Sequence, residues 1–277
     1  MSLGIAFKGA EGIVLAADSR VTLMAQMQAP VVPGQPQTQP QLLPAYFDNA
    51  NKLLRLSGQK FVGAVTYGVG AIGTTQPRTA HSFLPEFDAE LAAQQVGRLT
   101  VEDFANRLSG FFLRQWNATM PTSLPPGQDM VFLVAGYDEG APYGRVFEIF
   151  IPSRPSPVEM LPGNFGAVWG GQREITDRIL QGYDQQLPAI VQSVYGSLNA
   201  GLENALKGRL QVPIPFAFLP LQDCVDLSIF LVRTTITLQK WTVGVRGVGG
   251  AIDVATITRI DGVEHVQQKE IYGEHTT

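Results

Sequence analysis

The sequence predicts an α+β fold in which two antiparallel sheets lie at the centre and helices cover each outer face, in the four-layer order αββα. One observation is that β-rich runs joined by short glycine-containing loops open and close the chain. Another is that helical patterns are grouped between these hairpins. The chain has 277 residues, of which 45% are hydrophobic, so residues 1–277 can bury a substantial core as a single domain.

The chain opens with a predicted β-hairpin. Two β-rich runs, Leu3–Phe7 and Ile13–Ala17, are separated by a five-residue loop with two glycines, which is a recognised hairpin length. Pairing about Ala10 places Ser2 opposite Asp18. A hydroxyl at the extreme N-terminus would therefore lie beside a carboxylate.

Ser2 gains a second functional group if Met1 is removed, which is routine before a small residue. Removal leaves a hydroxyl and a free α-amine on one residue, and the ordinary amine pKa of roughly 7.7–8.0 makes it partly a base near neutral pH. This pairing is the N-terminal form of hydroxyl catalysis. The alternative is that Ser2 is an ordinary chain start and that Asp18 is a strand-end carboxylate bonded to local backbone.

The rest of the chain contains strand patterns, helix patterns and two insertions. Residues 26–44 carry five prolines and are predicted as an extended insertion, since proline can neither donate to a sheet nor continue a helix. A second insertion is predicted over 185–220. Further strands are predicted over Leu53–Ser57, Phe61–Tyr67, Met130–Gly136, Arg145–Ile151, Phe165–Trp169, Ile252–Arg259 and Glu264–Tyr272. Helices are predicted over Thr79–Gln95, after the capping residue Thr100, over Gln172–Tyr183 and over Leu221–Trp241.

Composition argues against several classes of function. The net charge is −4 and no run of Lys or Arg occurs, which argues against a nucleic-acid or anionic-membrane partner. Cys224 is the single cysteine, and the sequence has neither a signal-peptide pattern nor a spanning apolar run, so a cytoplasmic location is expected. His81, His265 and His275 lack metal-ligand spacing, and neither a metal nor another cofactor is expected.

The glycine pattern Gly68–Gly73 offers a competing interpretation. It matches G-x-G-x-x-G, follows a predicted strand and has Glu90 about twenty residues later, as in a dinucleotide-binding oxidoreductase. Against this, Thr74–Pro77 is a poor helix start, and no alternating parallel βαβ series follows.

Three blocks of sequence carry a family resemblance: Gly12–Arg20, Asn51–Leu56 and Gly249–Gly262. In that order they resemble the corresponding blocks of proteasome β-subunits and their bacterial relatives, the HslV and Anbu peptidases, and in character they are closest to Anbu. This group belongs to the N-terminal nucleophile hydrolases, whose fold is the αββα sandwich. The resemblance therefore implies hydrolysis of peptide bonds through an acyl-enzyme.

The resemblance also implies which residues act. Ser2 matches the family's threonine nucleophile because the sixteen-residue spacing to Asp18 is kept. Asp18 and Lys52 match its active-site aspartate and lysine. Gly68 matches the glycine whose backbone N–H holds the developing oxyanion. Without the resemblance, Lys52 would be interpreted as a solvated strand residue.

Three positions depart from the family pattern. Val245 and Val248 stand where the family has an aspartate and a serine, and Gln172 stands where it has a further serine. These departures leave open a second interpretation, a catalytically inactive ring or scaffold subunit. For both, the resemblance implies a homo-oligomeric ring or helical assembly. For the enzyme it implies a peptide or unfolded protein as substrate and leaves the need for an ATPase partner open.

Overall fold

The computed structural model describes residues 2–27, 41–121, 127–196 and 201–270. Within these ranges the strands are β1 Leu3–Lys8, β2 Ile13–Asp18, β3 Val21–Met27, β4 Gln41–Phe47, β5 Leu53–Arg55, β6 Val62–Gly68, β7 Met130–Gly136, β8 Arg145–Ile151, β9 Arg154–Met160, β10 Gly166–Gly171, β11 Ile252–Thr258 and β12 Gly262–Gln267. The helices are α1 Leu84–Ala93, preceded by a 3₁₀ turn Ala80–Phe83, α2 Val101–Thr119, α3 Glu174–Leu180, α4 Leu187–Tyr195, α5 Leu202–Leu210 and α6 Leu221–Trp241.

The strands form two five-stranded sheets and a separate two-stranded ribbon. The first sheet has the order β10-β1-β2-β11-β12, the second has the order β5-β6-β7-β8-β9, and β3 pairs with β4. Neighbouring strands are antiparallel throughout these sheets. The observed fold is thus a mixture of antiparallel sheets and helices.

Alternation along the strands divides the buried residues into three apolar clusters. On β1, Ala6 joins a cluster shared by the two sheets, whereas Leu3, Ile5 and Phe7 join a cluster with α3 and α6. Strand β7 belongs to the second sheet, and every second residue of this strand packs against α1 and α2 in the third cluster. Successive strand side chains point to opposite faces, which explains why β1 and β2 are buried at every position.

Helix α2 begins where the sequence predicts. The hydroxyl of Thr100 accepts a hydrogen bond from the backbone N–H of Asp103 at 3.1 Å and donates one to its carboxylate at 2.7 Å. One face of the helix then carries Phe104, Phe111 and Phe112 into the core. Helix α6 also has its predicted bounds, and both predictions are confirmed.

The first hairpin is confirmed, but its predicted register is wrong by one residue. Gly4 pairs with Ala17 and Ile5 pairs with Ala16, so the strands turn between Ala10 and Glu11 instead of about Ala10. A hydrogen bond from the Gly9 N–H to the carbonyl of Gly12 closes the turn. The carboxylate of Asp18 therefore meets the backbone of the residue that follows Ser2.

The prediction of an extended insertion over 26–44 is wrong at both ends of this range, where the chain forms strands. Strands β3 and β4 form an antiparallel ribbon in which Pro44 lies opposite Met24. A two-stranded ribbon has two free edges, where a residue without an N–H is tolerated. The central part of the insertion, residues 28–40, lies outside the described residues.

Other elements differ in extent from their predictions. Strand β9 contains Pro155 and Pro157 and was not predicted, but it is an edge strand, where proline is allowed. Helix α3 covers only part of the predicted Gln172–Tyr183, and β12 ends at Gln267. The second predicted insertion contains α4 and α5, with 197–200 outside the described residues.

Candidate active site

Asp18 is the most tightly held side chain of the candidate site. Its Oδ1 accepts a hydrogen bond from the backbone N–H of Leu3 at 3.0 Å and one from Lys52 Nζ at 2.7 Å. Its Oδ2 accepts from the backbone N–H groups of Arg20 and Gly249, each at 3.0 Å. Four donors from separate parts of the sequence thus fix both oxygens of one carboxylate.

Lys52 reaches Asp18 from the end of the segment that leads into β5. The side chains of this ion pair are 4% exposed for Lys52 and 0% exposed for Asp18. Burial is the largest influence on Lys52 and lowers its pKa below the ordinary value, while the contact with Asp18 acts in the opposite direction. The Lys52 ammonium group is therefore held against Asp18 with little surrounding water.

Ser2 immediately precedes β1 and is 2% exposed. Its carbonyl accepts a hydrogen bond from the backbone N–H of Gln172 at 2.8 Å, so the start of the chain is fixed against the end of β10. Ser2 and Lys52 line the same narrow pocket, together with Val21, Ala50, Asn51, Thr66, Tyr67, Val69, Gly70, Thr79 and Ala80. The structure therefore brings Ser2, Asp18 and Lys52 into one neighbourhood.

Gly68 ends β6 with a φ of +85°, a conformation that favours glycine. A Cβ at this position would overlap the carbonyl oxygen of Asp129, and the same carbonyl accepts the N–H of Val69 at 2.8 Å. Gly68 does not itself line the Ser2 pocket, although Tyr67, Val69 and Gly70 do. The glycine thus shapes the backbone bend beside the pocket.

Two of the three positions that depart from the family pattern, Gln172 and Val248, are joined by a glutamine that was not predicted. Gln239, on α6, donates from its amide to Oε1 of Gln172 and accepts the backbone N–H of Val248 at 2.9 Å. Val248 is buried, whereas Val245 is 39% exposed. An uncharged amide network therefore occupies the region in which the family pattern has ionisable and hydroxyl groups.

A second buried ion pair lies close behind Asp18 and was also not predicted. Lys269 Nζ contacts the carboxylate of Asp253 and donates to the hydroxyl of Ser19 at 3.1 Å. The same hydroxyl donates to the carbonyl of Ala251 at 2.8 Å. The sequence does contain a signal for this pair, since Asp253 is a single acid inside the apolar run of β11. An acid in such a strand requires a partner.

The geometry around the glycine pattern contradicts the dinucleotide-binding interpretation. Gly73 has a φ of +110° and is followed by six residues outside any helix before the 3₁₀ turn begins at Ala80. A dinucleotide site requires a helix to start at this point, with its N-terminus facing the phosphates. The strands on either side of the pattern, β6 and β7, are also antiparallel.

No helix among 2–27, 41–121, 127–196 and 201–270 is long and apolar enough to cross a membrane. Within the same ranges, no group of three or more His, Cys, Asp or Glu side chains is arranged to hold a metal ion.

The fold and the site together describe a chain of paired antiparallel sheets with a buried acid–lysine pair beside its N-terminus. A solved structure with a similar fold is the Anbu (Gly-1) mutant from Hyphomicrobium sp. strain MC1. The TM-score is 0.55 at 15% sequence identity, and the match covers 97% of this chain and 86% of the Anbu chain. No protein-family model matches the sequence, and no curated protein matches it. The likeness therefore shows a shared fold.

Proposed function

We propose that this chain is a proteasome-like peptidase of the N-terminal nucleophile type, in which Ser2 attacks after removal of Met1. The observation that carries the proposal is the buried contact of 2.7 Å between Lys52 Nζ and Asp18 in the neighbourhood of Ser2. Burying two charges is costly unless they are paired, and a pair kept beside a chain terminus points to chemistry at that terminus. Similarity of fold to Anbu supports the same class.

In the proposed reaction the α-amine of Ser2 takes the proton from the Ser2 hydroxyl while the oxygen attacks the carbonyl carbon of a peptide bond. The resulting tetrahedral oxyanion collapses to an ester, and the leaving amine takes the proton. Water then attacks the ester, which releases the carboxylic acid and restores the hydroxyl. One residue thus supplies both nucleophile and base.

Lys52 and Asp18 have electrostatic roles in this scheme. An ammonium group beside the hydroxyl lowers the cost of forming the alkoxide, and a nearby positive charge keeps the α-amine unprotonated. Asp18 orients Lys52. A backbone N–H near Gly68 is proposed to stabilise the oxyanion, and loss of one such donor costs about 10²–10³ in kcat in another protease.

The pocket beside Ser2 suggests a preference for substrate side chains. Apart from the Tyr67 ring, its apolar lining comes from the small residues Val21, Ala50, Val69 and Ala80. A Cβ at Gly70 would lie 2.9 Å from Val21, so this part of the pocket has little spare width. We therefore expect a small apolar side chain next to the scissile bond.

The proposal extends to architecture and context. The three apolar clusters support an αββα layer order for a single domain over 1–277. By analogy with proteasome-like proteins we propose a homo-oligomeric assembly with peptides or unfolded proteins as substrates in the cytoplasm. No cofactor enters the proposed reaction.

The first test is whether the α-amine exists and whether Ser2 reacts. Intact-mass measurement of the purified full chain should show loss of Met1. A serine-reactive β-lactone, which acylates a hydroxyl by ring opening, should add its full mass to Ser2. Fluorogenic peptides should be cleaved by the original protein and by Ser193→Ala, an exposed serine on α4, but not by Ser2→Ala. Equal cleavage rates for the original protein and Ser2→Ala would refute the proposal.

A second candidate function is a catalytically inactive scaffold subunit. The amide network of Gln172, Gln239 and Val248 favours it, because this network contains no group that titrates near neutral pH. Retained Met1 together with an assembled but unreactive protein would support the scaffold. Acylation of Ser2 would exclude it.

A further inference from the structure

A second cavity opens next to the Ser2 pocket, between edge strand β5 of one sheet and edge strand β12 of the other. We call it the Arg55 cavity. It contains about 530 Å³ of empty space, and Asn51 lines both this cavity and the Ser2 pocket. Its polar lining residues are Asn51, Arg55, His81, Asp253, His265 and Gln268. The cavity therefore adjoins the candidate active site, with Asn51, the neighbour of Lys52, between the two.

Most of the polar lining has no internal partner. The side chains of Asn51, Arg55, His81, His265 and Gln268 form no hydrogen bond or ion pair with any residue in the described part of the chain. The Nδ1 atom of His265 is buried and unpaired within the same ranges. Asn51 and His265 are half-buried, whereas Arg55, His81 and Gln268 are exposed at the rim of the cavity. Half-buried polar groups are normally satisfied, so the two unpaired side chains inside the cavity, with donors around its rim, suit a polar ligand.

The charges of the cavity favour an anion. The negative charge of Asp253 is compensated by the Lys269 ammonium group, and the Lys269 backbone N–H donates to the same carboxylate at 3.1 Å. Among the residues that the structure describes, the guanidinium of Arg55 has no ion-pair partner and leaves a positive charge at the cavity. Burial lowers the pKa values of both imidazoles below their ordinary range, and Lys269 acts in the same direction on both. Protonation of both rings is thereby disfavoured.

We propose that the Arg55 cavity binds a carboxylate group. Arg55 offers a planar fork of N–H donors that matches the two oxygens of a carboxylate, and the amides of Asn51 and Gln268 offer further donors. Two sources share this chemistry: a free organic acid, or the carboxylate of a peptide whose reacting bond lies at Ser2. The second source rests on the proposed function, whereas the binding of a carboxylate does not.

Titration calorimetry on the full chain tests the cavity without any turnover. Succinate should bind the original protein and Arg233→Gln, an exposed arginine on α6, with equal affinity. It should bind Arg55→Gln at least about tenfold more weakly, as expected when a charged hydrogen-bonding partner is lost. Arg55 is exposed and unpaired in the described part of the chain, so circular dichroism should show an unchanged fold.

The titration should be made at pH 7.5, where both carboxyl groups of succinate are ionised. Absence of binding, or equal binding by Arg55→Gln, would overturn the proposal. Binding of inorganic phosphate without succinate would overturn the assignment to a carboxylate.

A peptide comparison separates the two sources. On the Ser2→Ala chain, a peptide ending in a free carboxylate should bind more tightly than the same peptide ending in an amide, and Arg55→Gln should abolish the difference. Equal affinity for the two peptides would exclude the peptide source, and the succinate titration would still decide the cavity itself. Each of these binding measurements can succeed or fail in a protein that has no peptidase activity. Failure of the carboxylate proposal is therefore distinguishable from failure of the proposed function.

Discussion

The side chains of Gln172 and Gln239 are hydrogen bonded to each other across the interface between the end of β10 and helix α6. The backbone N–H of Gln172 holds the carbonyl of Ser2 at 2.8 Å, and Oε1 of Gln239 accepts the N–H of Val248 at 2.9 Å. The two amides therefore connect the start of the chain to the segment that enters β11. They fix the backbone around Ser2 without adding charge.

Loss of this connection should destabilise the protein. Gln239→Leu removes two hydrogen bonds, one to the side chain of Gln172 and one from the backbone of Val248, so we expect the free energy of unfolding to fall by about 1–3 kcal/mol. Urea denaturation measures the change. Gln222→Leu, at an exposed position on the same helix whose amide contacts Asp226, should change the value by less than about 0.5 kcal/mol. Equal effects of the two variants would contradict the role given to Gln239.

Two ion pairs of equal length should differ in their effect on the free energy of unfolding, because one is buried and the other is exposed. Lys52–Asp18 and Arg114–Glu90 both measure 2.7 Å, but the first is almost fully buried and the second has exposed fractions of 58% and 36%. Lys52→Met leaves a buried carboxylate without its cation, so we expect a loss of about 3–5 kcal/mol in unfolding free energy. Arg114→Met should cost at most about 1 kcal/mol. A similar loss for both, measured in urea, would argue against a buried charge at Asp18.

Replacing Gly170 on β10 by alanine should displace the side chain of Tyr67. A Cβ at Gly170 would overlap the Tyr67 hydroxyl, which donates to Glu148 at 2.9 Å, and one at Gly4 would lie 2.8 Å from the ring. Gly170→Ala should therefore cost about 1–3 kcal/mol of unfolding free energy. Because Tyr67 lines the Ser2 pocket, peptide turnover should also fall. Gly208→Ala, on α5 with no atom within 4 Å, should leave stability unchanged or raise it by up to about 1 kcal/mol.

The ion pair between Glu159 and Arg145 should make stability depend on pH in acid. The guanidinium of Arg145, 2.7 Å away, lowers the pKa of the Glu159 carboxyl below its ordinary value. A lowered folded-state pKa stabilises the protein above the unfolded-state value, roughly 4.3–4.5, and this contribution is lost as pH falls through the folded-state pKa. Glu159→Gln should cost about 1 kcal/mol at pH 7, and the difference from the original protein should shrink below pH about 4.5. A difference that stays constant with pH would contradict this.

Local patterns in the sequence predicted the elements whose stability is local. The capping residue Thr100 and the apolar period after it predicted α2, and two β-rich runs predicted β1 and β2. The ribbon β3–β4 was missed because its prolines disfavour a sheet interior, and this ribbon has only edges. The hairpin register was missed because loop composition does not specify whether the turn is centred on Ala10 or after it.

The candidate site was predicted from two sources. The hairpin pattern placed Ser2 beside Asp18, whereas only the family resemblance added Lys52 and Gly68. The contacts of Gln239 and Lys269 could not be predicted, because each depends on a tertiary approach. Helix α6 meets the end of β10 in the first case, and the segment after β12 meets the end of β2 in the second. A polar residue within an amphipathic helix does not reveal whether it faces water or another amide.

The four donors on Asp18 have a consequence for protein synthesis. The first of them, at Leu3, leaves the ribosome with the first residues of the chain, whereas the last, at Gly249, is made only near the end. Until then the carboxylate lacks part of its support, so the buried environment of Asp18 is complete only after Gly249 has been synthesised and has packed against β2.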